Sequence, residues 1–156
     1  MVAAVTDVLD QAVKLWVVYA FDLGRRGLVK IMPGVDLVLT WNTGISYGLF
    51  PQDSDAGRWV LIGIKAVAVI LLTVWLSRTT SRLTALALGL IIGGAVGNGI
   101  DRLTFGAVAD FVLLYVATET TRHDWYVFNL ADAAIVAGVI GLLFESLIGE
   151  RAAKAP

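Results

Sequence analysis

The feature that most constrains this chain is an apolar stretch over residues 83–100 that ends in polar residues. As a helix it would be about 27 Å long, close to the thickness of the hydrocarbon core of a bilayer. Gly89, Gly93 and Gly97 recur at every fourth position. Glycines on one side of a helix allow another helix to approach closely inside a membrane. The next position in this series is Asp101, so we expect a membrane-spanning helix that carries a carboxylate to one end.

The composition indicates a membrane protein with a single domain. Hydrophobic residues make up 58% of the 156-residue chain and charged residues 16%, whereas a soluble domain has about a quarter charged residues. A net charge of −1 provides no basic surface for nucleic acid. The chain has no cysteine and a single histidine, His123. This excludes a thiol nucleophile and a multi-histidine metal centre, and we expect neither a metal nor a cofactor.

Hydropathy and turn residues divide the chain into four membrane spans and two outer segments. The short loop after the second span contains Arg78 and Arg82, and positively charged loops face the cytoplasm. Both termini are therefore expected inside. Asp10 and Lys14 form an i, i+4 pair in the first span, and the few residues before Asp10 predict that the natural start lies upstream of Met1. The predicted spans are residues 1–21, 58–76, 83–100 and 126–148, with the outer segments at 22–57 and 101–125.

The outer segments contain short strand-like runs. Residues 35–41 alternate in hydrophobicity, which is typical of a strand, and Asn42 to Gly44 predict a turn at its end. We therefore expect a small sheet in residues 22–57. Residues 111–116 are consistent with a short strand or a half-buried helix.

Two aspartates in apolar surroundings suggest an active site at the outer end. Asp110 lies in the sequence ADF and Asp132 in NLADAA. Two aspartates close together do not both ionise easily, so one keeps a proton while the other acts as a base. Such a pair can activate water and protonate a leaving amine, which is the chemistry of an aspartic peptidase. Asn98, Arg102 and Asn129 would supply the hydrogen bonds that hold the carboxylates, with Asn129 on the same helical face as Asp132.

The same spacing permits other interpretations. Asp101 and Arg102 could form a helix-end ion pair, and Asp132 could cap the last helix. Acids inside a membrane also form proton and ion pathways, so a small transporter and a non-catalytic assembly protein stay open. Lys65 interrupts the second span, and such a lysine more often snorkels or pairs with another span than acts directly. A serine-type site around His123 is disfavoured, because no nucleophile elbow of the GxSxG type is present.

Five sequence blocks carry a resemblance to a known family. The combination of GGxxGNxxDR, a DF pair and FNxAD is specific in a four-span chain of this length. The blocks are DQAVK at 10–14, NTGISYG at 42–48, GGAVGNGIDR at 93–102, VADF at 108–111 and FNLAD at 128–132. In these blocks the chain resembles lipoprotein signal peptidase, the type II signal peptidase of bacteria, over nearly its whole length.

The resemblance implies an all-α membrane protein with four transmembrane helices and a small extracytoplasmic β-cradle, forming one integral membrane peptidase domain over residues 1–156. It also implies an intramembrane aspartic endopeptidase that cleaves prolipoproteins before a diacylglyceryl-modified cysteine. The family's catalytic aspartates fall on Asp110 and Asp132, and the choice of Asp110 over Asp101 rests on the resemblance alone. The supporting residues that it implies are Asp10, Lys14, Asn42, Gly44, Asn98, Asp101, Arg102 and Asn129.

The resemblance further implies the partners and the location of the protein. The expected partners are a diacylglyceryl-prolipoprotein substrate, membrane lipids and inhibitors of the globomycin type. The expected location is the bacterial cytoplasmic (inner) membrane, with the active site toward the extracytoplasmic side, and we expect a monomer. The second block usually reads NxGAAFG in the family. Because Ile45, Ser46 and Tyr47 replace its centre, we expect a differently shaped cradle.

Overall fold

A computed structural model describes residues 1–44 and 55–153 of the chain. Along these residues, two pairs of strands are separated by two long helices, with further helices at both ends. The helices are α1 (Val2–Leu15), α2 (Leu23–Arg26), α3 (Asp55–Arg78), α4 (Arg82–Thr104) and α5 (Leu130–Ala153), and the strands are β1 (Val29–Met32), β2 (Val35–Asn42), β3 (Val108–Ala117) and β4 (Arg122–Phe128). One π-helical turn, Trp16–Ala20, continues α1.

The four strands form one antiparallel sheet in the order β1-β2-β3-β4. The β2–β3 pairing places Thr40 opposite Asp110 and Asn42 opposite Val108. The predicted strand at 35–41 is confirmed, and residues 111–116 lie in a strand. The fold is helix-rich with a small antiparallel sheet, as expected. One expectation was wrong: the sheet is built from both outer segments rather than from 22–57 alone.

Two predicted helix boundaries also need correction. Helix α4 continues to Thr104, so Asp101 and Arg102 belong to the helix and not to the outer segment that follows it. The last helix begins at Leu130 rather than at residue 126, because residues 126–128 complete strand β4. Tyr126 and Phe128 are aromatic residues, which favour strands, and the polar residue before Leu130 provides a helix start.

Within the described residues, two helices have the length and apolarity that a membrane crossing requires. They are Arg82–Thr104 and Leu130–Leu147. Helix α1 has 14 residues and the π-helical turn that continues it has 5, so together they approach the approximately 20 residues of a full crossing.

Helix α4 packs closely against α1 and α5 through its glycines. A Cβ atom on Gly93 would lie 2.5 Å from the carbonyl oxygen of Ala3 in α1. On the other side, a Cβ atom on Gly94 would lie 2.5 Å from the carbonyl oxygen of Ala131 in α5. The prediction that the glycine stripe allows close helix approach is confirmed. This packing brings the end of α4 against the start of α5 and the middle of α1.

We expect Gly93→Ala to destabilise the protein, because a methyl group there would overlap α1 and overpacking typically costs about 1–3 kcal/mol. Gly99→Ala is the matched control, because a Cβ atom at Gly99 has no neighbour within 4 Å. Thermal denaturation in detergent should show a lower midpoint for Gly93→Ala and an unchanged or higher midpoint for Gly99→Ala. Equal midpoints for the two variants would contradict this packing.

Candidate active site

A buried ammonium group lies at the centre of the candidate site. The Nζ atom of Lys14 is 2.8 Å from Asp10 Oδ2 and 2.9 Å from Asp101 Oδ2, and it donates to Asn98 Oδ1 at 2.9 Å. Lys14 is 2% exposed and both aspartates are fully buried. An ammonium group has three N–H donors, so each has a partner here. The predicted Asp10–Lys14 pair is confirmed, and α4 adds a second carboxylate to it.

The carboxylate of Asp101 connects this ammonium to strand β3. Its Oδ2 atom also accepts a hydrogen bond from the backbone N–H of Ala109 at 3.1 Å, and Ala109 immediately precedes Asp110. Its Oδ1 atom accepts from Gln11 Nε2 at 2.8 Å. Sequence reasoning missed Gln11 as a supporting residue, although it lies in the DQAVK block. Asp101 therefore fixes the backbone beside Asp110.

The carboxylate of Asp10 has the corresponding role for α5. Its Oδ1 atom accepts from the backbone N–H of Ala131 at 2.8 Å, and Ala131 immediately precedes Asp132. Since Asp10 and Asp101 both bind the ammonium of Lys14, a single cation connects the two backbone positions that carry the candidate catalytic aspartates. The sequence spacing of these residues does not reveal that connection.

Two amide side chains connect the candidate catalytic carboxylates. Asn129 Nδ2 donates to Asp110 Oδ1 at 2.6 Å, and Asn98 Nδ2 donates to Asp132 Oδ1 at 2.8 Å. The amides also contact each other, because Asn129 Nδ2 lies 3.1 Å from Asn98 Oδ1. Each carboxylate is therefore oriented by an amide donor, and the two donors form one network.

Asn129 and Asp132 also form the start of α5. The backbone N–H of Asp132 donates to Asn129 Oδ1 at 2.9 Å, and the N–H of Asn129 donates to Asp132 Oδ2 at 3.3 Å. This reciprocal arrangement resembles a capping box. Asn129 precedes the helix, so the expectation that it shares a helical face with Asp132 was wrong. The prediction that Asp132 caps the helix holds for its Oδ2 atom, whereas its Oδ1 atom accepts from Asn98.

Arg102 has a different role from the one expected. It is 4% exposed, and it donates from Nη1 to the carbonyl oxygen of Asn98 at 3.1 Å and from Nη2 to that of Gly44 at 2.7 Å. Among the described side chains it therefore neither hydrogen-bonds a carboxylate nor pairs with Asp101. Its guanidinium group instead attaches the turn after β2 to helix α4.

Asn42 brings β2 into the site. Its Nδ2 atom donates to Asp110 Oδ2 at 3.1 Å, and its Oδ1 atom accepts from the N–H of Gly44 at 3.1 Å. The second bond is typical of an Asx turn and confirms the predicted turn at the end of the strand. The substituted positions 45–47 lie outside the described residues.

Burial raises the pKa of Asp110 to about 6, because an apolar environment disfavours its charged form. Asn42 and Asn129 act in the opposite direction, because their N–H groups stabilise the carboxylate. The nearby charge of Asp132 raises the pKa further and that of Lys14 lowers it. Asp110 therefore titrates close to neutral pH, which suits a group that takes up and releases protons.

An apolar groove of about 360 Å³ begins at Asp132 and follows α5. Aromatic residues of β4, including Trp125 and Phe128, form one wall, and Val136 and Ile140 of α5 form another. Within the part of the chain that the structure describes, no set of three or more His, Asp or Glu side chains is arranged to hold a metal ion. The side chains that donate hydrogen bonds to Asp110 and Asp132 are the amides of Asn42, Asn98 and Asn129.

Comparison with known proteins identifies the family. The family model for signal peptidase (SPase) II matches residues 2–148. The chain belongs to the signal peptidase II family. The lipoprotein signal peptidase of Nitrobacter hamburgensis is 57% identical over 157 residues, covering 100% of this chain and 96% of the relative. The one of Rhodopseudomonas palustris is 54% identical over 149 residues, covering 96% and 91%.

The fold has solved counterparts. A structure described as a bacterial membrane enzyme superposes with a TM-score of 0.80 at 22% identity, covering 99% of this chain and 89% of the other. A second structure with the same description has a TM-score of 0.76 at 23% identity, covering 94% and 90%. These comparisons confirm the resemblance predicted from the five sequence blocks. This signal peptidase II family member is thus a membrane enzyme of the protease class.

Proposed function

We propose that this signal peptidase II family member is an intramembrane aspartic endopeptidase. It removes the signal peptide from bacterial prolipoproteins by cleaving before the diacylglyceryl-modified cysteine. The observation that supports this most is the amide network, in which Asn129 donates to Asp110 at 2.6 Å and Asn98 donates to Asp132 at 2.8 Å. The names of the relatives supply the substrate class.

In the proposed reaction, the two aspartates divide the acid and base roles. One carboxylate removes a proton from water, and the resulting hydroxide attacks the carbonyl carbon before the modified cysteine. The other aspartate, which carries the shared proton, protonates the amine as the peptide bond breaks. The raised pKa of Asp110 supports a shared proton, because a carboxyl group that titrates at about 6 is readily protonated beside a second carboxylate. Asn42, Asn98 and Asn129 keep the oxygens oriented during these steps.

We place this site at the extracytoplasmic surface of the inner membrane. In this arrangement four helices, α1, α3, α4 and α5, span the bilayer, and the sheet lies outside. Arg78 at the end of α3 and Arg82 at the start of α4 lie at the opposite end, which favours the cytoplasm for that end. The acyl chains of the substrate then stay in lipid while the scissile bond reaches water and the aspartates. We expect a monomer that globomycin-type peptides inhibit.

Cleavage of matched substrates tests this function. Purified protein in detergent or lipid is incubated with a diacylglyceryl-modified prolipoprotein and with its unmodified twin, and the products are resolved by mass. We expect cleavage of the modified substrate alone, at the bond before the modified cysteine. Absence of cleavage would reject the peptidase, and equal cleavage of both substrates would reject the role of the lipid.

We expect Asn42→Ala to move the pH profile of the reaction. Asn42 donates to Asp110 Oδ2 and stabilises the charged carboxylate, so its removal raises the pKa of Asp110 above about 6. The limb of the kcat/KM profile near pH 6 should therefore shift to higher pH, whichever aspartate is the base. Thr43→Ala, an exposed neighbour, should leave the profile unchanged. An unshifted limb in Asn42→Ala would contradict this role of the amide.

A further inference from the structure

A second apolar groove lies on the other side of α4, where it packs against α3. It has a volume of about 330 Å³, and its walls are the α3 face that contains Ile62 and Val69 and the α4 face that contains Ala95, Gly99 and Leu103. The helices are joined by a short loop and are antiparallel. Ile62 and Leu103 therefore lie at the end far from the loop, which is the end of the candidate active site.

One charged side chain lines this groove. Lys65 lies on the same α3 face as Ile62 and Val69 and is half-buried. Among the side chains that the structure describes, Lys65 makes no hydrogen bond and no ion pair. An ammonium group in an apolar groove without a hydrogen-bond acceptor is unfavourable, and ionisable residues inside a membrane generally have a functional partner. The groove therefore favours a ligand that supplies an acceptor.

We expect the ammonium group to be directed toward the candidate active site. Long side chains of a helix point toward its N-terminus, and the N-terminus of α3 is at the far end from the loop. The charges that act on Lys65 are those of Arg102, Asp132, Lys14 and Asp110, all of which belong to the site. A ligand that binds Lys65 therefore has its polar group close to the reacting aspartates.

The shape of the groove limits what can occupy it. From Ile62 to Ile70 the groove extends about 12 Å along α3 at 1.5 Å per residue. Its volume of about 330 Å³ then gives a mean cross-section of about 30 Å². A helix about 10 Å across needs roughly 80 Å². A single extended hydrocarbon chain fits this groove, and the helix of a signal peptide does not.

We propose that Lys65 and this groove recognise the lipid anchor of the substrate. One acyl chain of the diacylglyceryl group lies between α3 and α4, and the Lys65 ammonium donates a hydrogen bond to the ester carbonyl of that chain. Charge complementarity selects this groove over the one beside α5, because the charged side chain of that groove is the Asp132 carboxylate. An ester carbonyl oxygen is only an acceptor, so it matches an ammonium and is repelled by a carboxylate. This inference rests on the proposed function.

The hydrogen bond is tested with two synthetic prolipoproteins that differ only in their lipid. One carries an ester-linked diacylglyceryl cysteine and the other the ether-linked dialkyl analogue, which lacks carbonyl oxygens. The wild-type enzyme should cleave the ester with a kcat/KM about tenfold higher, as expected of a hydrogen bond to a charged group. The Lys65→Met variant should lose this preference. It should cleave both substrates with the kcat/KM that the wild-type enzyme has for the ether-linked substrate. A preserved ester preference in Lys65→Met, or loss of activity on both substrates, would overturn the proposal.

The chain offers a matched pair of glycines to test the groove. Gly99 lines the groove, whereas Gly63 lies outside it. A Cβ atom added at either glycine would have no neighbour within 4 Å. Gly99→Leu should fill the groove and raise KM for both lipidated substrates about tenfold, while Gly63→Leu should leave KM unchanged. Equal KM values for the two variants would exclude the groove as the acyl site.

These outcomes separate the inference from the function on which it rests. If wild-type protein cleaves neither substrate, the proposed peptidase fails. If wild-type protein cleaves both and Lys65→Met changes both rates alike, the peptidase stands and only the recognition by Lys65 fails. A bilayer phospholipid bound in the groove would produce this last result, because it does not distinguish the two substrates.

Discussion

Asp110→Asn and Asp132→Asn are each expected to lower cleavage of a diacylglyceryl-modified substrate by about 10³-fold or more. Each variant removes one member of the acid and base pair, and a single general acid or base contributes about 10²–10⁴-fold. Asparagine has nearly the same shape as aspartate but does not take up a proton at neutral pH. The expected change is therefore in kcat rather than in KM. Single-turnover cleavage followed by mass measures it directly.

Both variants also change the hydrogen bonds of the site, so folding has to be measured in parallel. Asp110 accepts from Asn42 and Asn129, and an amide in its place directs an N–H group toward one of these donors. A modest decrease in thermal stability is expected for that reason. Asp124→Asn is the control, because Asp124 lies in β4 and pairs with Arg122 at the surface, and this variant should keep full activity. Normal cleavage by Asp110→Asn or by Asp132→Asn would reject the assignment of these two aspartates as catalytic.

The parts of the site that residue spacing predicts are those that follow from a pattern within one segment of the chain. The Asp10–Lys14 pair follows from an i, i+4 spacing, and the close approach to α4 follows from glycines at every fourth position. Both are local patterns with a known geometry. The same patterns do not choose between Asp101 and Asp110 as the catalytic residue, because both are acids near the end of an apolar segment. That choice rests on the resemblance to the family.

The parts that the sequence does not predict depend on contacts between distant segments. The pairing of β2 with β3 joins the two outer segments, and neither segment alone indicates its partner. The sequence places Tyr126 to Phe128 in the last helix, because a short apolar run next to a helix is ambiguous between helix and strand. The bonds from Asp101 to the N–H of Ala109 and from Asp10 to that of Ala131 involve backbone groups, which carry no sequence signal.

Those backbone contacts make Lys14 a residue whose loss should strongly destabilise the protein. Lys14→Met leaves Asp10 and Asp101 fully buried without a cation, and removing one partner of a buried ion pair costs about 3–5 kcal/mol. The thermal midpoint in detergent should fall sharply. Arg25→Met is the matched control, because Arg25 is 90% exposed and its pair with Asp22 lies on the surface, where such pairs contribute about 0–1 kcal/mol.

A second substitution separates lost charge balance from lost packing. Adding Asp101→Asn to Lys14→Met removes one of the two uncompensated carboxylates while keeping its shape, so the double variant should recover part of the lost stability. A double variant that is less stable than Lys14→Met would show that the ammonium is not the reason for the burial of these acids. Activity should stay low even where stability returns. The N–H groups beside Asp110 and Asp132 are both positioned through carboxylates that bind Lys14, so without this ammonium the two aspartates are no longer held in one fixed geometry.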